Sequence, residues 1–115
     1  MKATRLFTGK DGQSHFEDIE IPIVFGSWGG GSSDPIETQH VMFGEIEITE
    51  IPKHNSPCSQ YVIMLQGAME IEIGDGTRRI FKEGEVLLAE DTTGEGHMTR
   101  AASDGLRRYL VIQKK

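Results

Sequence analysis

Residues 60–90 read QYVIMLQGAMEIEIGDGTRRIFKEGEVLLAE, and their alternation decides the fold. Met69, Ile71 and Ile73 fall on one side of a period-two pattern, and Glu70 and Glu72 fall on the other. Successive residues of a strand point to opposite faces, so this pattern predicts a strand with one apolar face. Gly74-Asp75-Gly76 then supplies a hairpin turn, because glycine accepts positive φ without penalty. Lys82-Glu83-Gly84 marks a second turn, and Val86-Leu87-Leu88 starts another strand. Tyr61–Leu65 is apolar at every position, which predicts a strand covered on both sides.

The same reading extends outward. Gly44–Ile51 alternates with Ile46, Ile48 and Ile51 as its apolar set. His97–Ala102 and Arg107–Gln113 read as strands, as do Ala3–Gly9 and His15–Val24 near the start. No stretch carries helical periodicity. Many short strands with 14 glycines between them predict an all-β sandwich or barrel. Phe25–Gln39 is the exception, a Gly- and Ser-rich segment expected to be a mobile loop. Trp28 within it has two readings: a ring tucked over the barrel edge, or part of a lid that closes on a ligand. Gly29-Gly30-Gly31 is no phosphate loop, since no Lys-Ser/Thr follows it.

A chain of 115 residues fits one domain. Its net charge of −6 argues against nucleic-acid binding, which needs clustered Lys and Arg. Arg78-Arg79 and Arg107-Arg108 are isolated basic doublets with acidic neighbours. Cys58 is the single cysteine, which excludes an internal disulfide and fits a reducing compartment. The first residues have no apolar leader, and the longest apolar run, Tyr61–Leu65, is far too short to span a membrane. A soluble cytoplasmic protein is the expectation.

Two stretches carry a resemblance. HNSPCSQYVIMLQG (54–67) and GEVLLAEDTTGEGH (84–97) are similar to the two motifs of the RmlC-like cupin superfamily. The first motif there reads H-x-H, three or four residues, Glu, six residues, Gly. The second reads Gly, five residues, Pro-x-Gly, two residues, His. The similarity covers about residues 40–113, with the N-terminal strands and the Gly-rich loop before it. It is strongest to a group of small single-domain cupins. The resemblance implies a double-stranded β-helix, a jelly-roll barrel, often with a divalent metal inside. Counting back from Gly67, His54 takes the place of the first motif His, Ser56 that of the second, and Gln60 that of the Glu. His97 takes the place of the late His, in a longer loop without the proline. The implied metal set is therefore His54, Gln60 and His97.

Two imidazoles suit Fe, Mn, Ni or Zn, while a neutral amide oxygen is a weaker donor than a carboxylate. The alternative is a pocket without metal, in which His54 and His97 hydrogen-bond a ligand or each other. Glu90 and Asp91 leave the Val86–Leu88 strand where cupin sites open, so either is a candidate general base if an apolar wall raises its pKa. Thr92 and Thr93 read as turn-shaping residues. Arg100 is a candidate for holding an acidic ligand, or a solvent-facing strand residue. His15, His40 and Cys58 have no motif support. Three functions stay open: a metal-dependent lyase, isomerase or oxygenase acting on an oxygenated small molecule; a non-catalytic ligand-binding cupin; or a structural dimer with a vestigial pocket. A homodimer is expected because small barrels leave sheet edges exposed.

Overall fold

The computed structural model describes residues 1–115 and contains no helix. Its strands are β1 Lys2–Thr8, β2 Ser14–Glu20, β3 Val24–Phe25, β4 Gly31–Ser32, β5 Thr38–Ile46, β6 Glu50–His54, β7 Gln60–Gln66, β8 Met69–Glu72, β9 Arg78–Phe81, β10 Val86–Glu90, β11 His97–Ala101 and β12 Arg107–Lys114. A six-stranded sheet runs β2-β1-β10-β7-β12-β5, a four-stranded sheet runs β6-β11-β8-β9, and β3 and β4 form a separate small arm. The all-β expectation holds.

Alternation explains what meets in the middle. Met69, Ile71 and Ile73 of the β8 region join Met64, Leu87, Ala89, Phe81 and Leu6 in one buried cluster. Each of the larger side chains, Ala89 excepted, contributes roughly 1.5–3 kcal/mol by leaving water. On the opposite face of β8, Glu72 meets Arg78 at 2.7 Å and Arg100 at 2.9 Å. The 74–76 turn forms as expected: Gly76 has φ 88° and its N–H donates to the Ile73 carbonyl at 2.9 Å. β1 lies parallel to β10, with Leu6 opposite Ala89, so the N-terminal hairpin is an integral part of the large sheet.

Three local expectations need correction. Gly44–Ile51 is not one strand: β5 ends at Ile46 in the six-stranded sheet, and β6 begins at Glu50 in the other. The chain changes sheets between them, which leaves Ile48 59 % exposed. The period-two phase breaks here, since Ile48 and Ile51 are three positions apart, not two, but a phase break does not say which sheet each half joins. Phe25–Gln39 is not wholly loop either. It carries the β3–β4 hairpin, turned at Gly29, and its last two residues open β5. Finally, β7 is covered unevenly: Tyr61 and Ile63 on the outer face are half-buried, and cover on that face ends at Leu65. Met64 is buried on the inner face, whereas Leu65 on the outer face is 49 % exposed.

Candidate functional site

β6 ends and β11 begins side by side, with His54 registered opposite His97. Their rings lie 4.4 Å apart between centroids, tilted at 58°. Two glycines make this approach possible. Gly94 and Gly96 both take positive φ, and a Cβ on Gly96 would sit 2.2 Å from the His54 carbonyl oxygen. Any other residue there would push the 91–97 turn away from β6.

Both rings are tied down through Nδ1. That of His54 faces the Pro52 carbonyl at 2.8 Å. A carbonyl only accepts, so His54 Nδ1 carries the hydrogen and Nε2 keeps its lone pair when the ring is neutral. His97 Nδ1 meets Asp91 Oδ2 at 2.5 Å. Asp91 is completely buried, and two further hydroxyls donate to it: Ser14 to Oδ2 at 2.7 Å and Ser56 to Oδ1 at 2.8 Å. Burial alone would raise the Asp91 carboxyl. The hydrogen bond and charge of His97, with the two hydroxyls, outweigh it and hold the group below its ordinary value. Asn55 closes the corner, sharing its amide hydrogens among the carbonyls of Asp91, Thr93 and Gly94.

Both histidines border a cavity of about 430 Å³, a size suited to a small organic molecule. Gln60 at the start of β7 borders the same space, and its Oε1 accepts from Gln113 Nε2 at 3.3 Å. Val62, Met64, Leu87 and Val111 make the wall beyond them apolar. Tyr109 and Arg107, further along β12, also face inward.

The structure thus brings together His54, Gln60 and His97, and it separates them from the other candidates. Asp91 is behind His97 with its oxygens already occupied, so it orients the imidazole and does not face the cavity as a base. Glu90 points to the other side of β10, where it holds Arg5 at 2.8 Å and accepts from Ser59 at 2.5 Å. Burial pushes the Glu90 carboxyl up, but Ser59 and Arg5 together pull it below its ordinary value. The apolar wall expected to raise these carboxyls is therefore overruled by local donors. Arg100 lies on the outer face of β11 among Glu72, Glu50 and Glu70. Its hydrogen bond to Glu72 is the main reason its pKa is raised. Trp28 is 78 % exposed and lies against its own hairpin, where a Cβ on Gly30 would come within 2.1 Å of the indole. It does not border the cavity that holds the two histidines.

Sequence reasoning missed Arg107, Tyr109, Gln113 and Ser14. The first three were available from period-two arithmetic: they share a face of β12 with Val111, a buried residue. Ser14 carried no such signal, since it meets Asp91 across 77 positions of chain.

No protein-family model and no curated protein matches the sequence. Solved structures do match in shape. A protein of Salmonella typhimurium assigned to ethanolamine utilization, protein Q, superposes with TM-score 0.54 at 13 % identity, over 99 % of this chain and 95 % of that one. An RmlC-like cupin with a double-stranded β-helix fold from Methanocaldococcus jannaschii gives 0.52 at 19 % identity, over 84 % and 91 %. A protein of Neisseria meningitidis gives 0.52 at 18 % identity, over 70 % and 81 %. At these identities the likeness speaks for the fold, and it agrees with the two facing sheets: the chain has the cupin fold, a double-stranded β-helix.

Proposed function

We propose that this cupin-fold protein binds a small oxygenated molecule beside His54, Gln60 and His97 and moves a proton on it, as a lyase or isomerase does. His97 is the general base and Asp91 its positioning partner. The observation that carries this reading is the fully buried Asp91 carboxylate on His97 Nδ1. It selects the tautomer whose Nε2 lone pair is free, and it stabilises the imidazolium formed when a proton arrives. His54, held by the Pro52 carbonyl, offers a second Nε2 to the same substrate oxygen or proton. The test is carbon-bound hydrogen exchange in D2O, followed by NMR over a panel of short hydroxy- and keto-carboxylates. Wild-type protein should exchange at least one of them, and His97→Ala should be slower by about 10²-fold or more. Equal exchange by His97→Ala overturns the assignment.

A second reading is favoured by the anchoring of both rings through Nδ1, as metal-ligating imidazoles commonly are. In it His54, His97 and Gln60 hold a divalent Fe, Mn, Ni or Zn ion, which supplies Lewis-acid chemistry when bound. The donor set is lean: no third His, Cys, Asp or Glu joins the two imidazoles. Ser56, at the position of the second motif His, serves Asp91 instead. Stoichiometric metal in tag-free protein, absent from both His54→Ala and His97→Ala, would favour this reading; active metal-free protein removes it.

We also infer a homodimer. Val41, Met42 and Phe43 lie exposed on β5, whose outer edge is unpaired, and Val24, Phe25 and Trp28 lie exposed on the arm. A second copy covers such an edge with identical chemistry. A monomeric mass by light scattering at micromolar concentration counts against it. No helix is long and apolar enough to cross a membrane. The lone Cys58 supports a cytoplasmic setting.

A further inference from the structure

The chain has six arginines. Arg5, Arg78, Arg79, Arg100 and Arg108 each meet a carboxylate within 4.0 Å. Arg107 meets none, although it is the least exposed, at 2 %. It donates through Nη2 to the Ile48 carbonyl, and its Nε is buried without any partner. Its neighbour Arg108 faces outward and pairs with Glu45 at 2.8 Å, so alternation along β12 is what sends Arg107 inside. A guanidinium stays charged at any physiological pH, and burying a charge without a counter-charge is costly. Proteins tolerate that cost where a ligand supplies the missing partner.

Arg107 borders the same cavity as the two histidines, but at its other end. It begins β12, whereas Gln113, beside Gln60, comes six residues later. At about 3.3 Å per residue the two ends are roughly 20 Å apart along the strand. The wall between them is mainly apolar, with Val62, Met64, Ile71 and Val111.

We propose that Arg107 is an anion-binding residue, and that the cavity takes a carboxylic acid with an extended apolar body. The carboxylate sits on the guanidinium fork and the body runs along the apolar wall toward His54 and His97. One cation and few other polar groups match a monoanion better than a phosphate dianion, which needs more donors. The proposal deepens the small-molecule reading of this cavity and rests on it for the ligand's far end.

The experiment is isothermal titration of linear carboxylates from butanoate to dodecanoate, each beside the primary alcohol of equal length. Wild-type protein should prefer the acid by at least tenfold at its best chain length. Arg107→Met should lose that preference, and Arg107→Lys, which keeps the charge but not the fork, should retain part of it. Arg108→Met, which removes the neighbouring guanidinium on the outer face, should keep the preference, and because the ratio is read from binding without turnover, a failure of the proton-transfer reading leaves this result intact. Circular dichroism confirms that each variant is folded. An acid-to-alcohol ratio near one in wild-type protein overturns the proposal whatever the variants do. So does an undiminished ratio in folded Arg107→Met.

Discussion

Two charge networks sit on opposite sides of β11. Inside, Asp91 is enclosed by His97, Ser14 and Ser56, each within 2.8 Å. Outside, Glu72 is shared by Arg78 and Arg100, with Glu50 and Glu70 close by. In both places a carboxyl is held below its ordinary value by its partners. The difference is the solvent. Water can replace any partner of Glu72, so its ion pairs trade one set of hydrogen bonds for another. Nothing can replace the partners of Asp91, because no water reaches it. Similar pairing therefore gives surface decoration in one case and a fixed imidazole orientation in the other.

The largest effect should come from breaking the inner network. Asp91→Ala leaves the Ser14 and Ser56 hydroxyls and His97 Nδ1 without their acceptor, and should cost about 3–5 kcal/mol in urea unfolding. A loss below about 1 kcal/mol would place Asp91 among ordinary surface carboxylates.

Next is acid sensitivity. The Asp91 carboxyl is depressed in the folded protein, so its stabilisation is complete above the unfolded Asp value of about 3.9. It is lost as pH falls below that value toward the lower folded one. Stability measured from pH 7 to pH 2 should therefore fall more steeply in wild-type protein than in Asp91→Asn. Parallel curves would show that Asp91 does not feel its partners.

The smallest effect belongs to the outer network. Arg100→Ala should leave the unfolding midpoint within experimental scatter, and whatever change it makes should shrink further in high salt. A large, salt-resistant loss would erase the contrast between the two sides.

The two networks also differ in how legible they were. The outer one follows from alternation: once Met69, Ile71 and Ile73 face the core, Glu70 and Glu72 face outward, and Arg78 across the Gly74–Gly76 hairpin meets them. The inner one joins Ser14, Ser56, Asp91 and His97 from four places in the chain. Local pattern carries no information about which strands become neighbours, so Asp91 read as a base at a pocket rim when it is the support behind one. Glu90 was misjudged for a related reason, since its partner Arg5 arrives only through the parallel pairing of β1 with β10.

The sequence by itself determined that the chain is all-β, where its hairpin at Gly74–Gly76 turns, and which residues of β8 face inward. These depend on period-two geometry and on glycine's freedom at positive φ, both local properties. Its resemblance to the two cupin motifs also singled out His54, Gln60 and His97 together. Tertiary structure decided the rest: that Ile46 and Ile51 belong to different sheets, that Trp28 lies on its own hairpin, and that Arg107 is buried with no carboxylate beside it. Each of these depends on which surfaces meet across the barrel, and that is settled by packing of the whole chain.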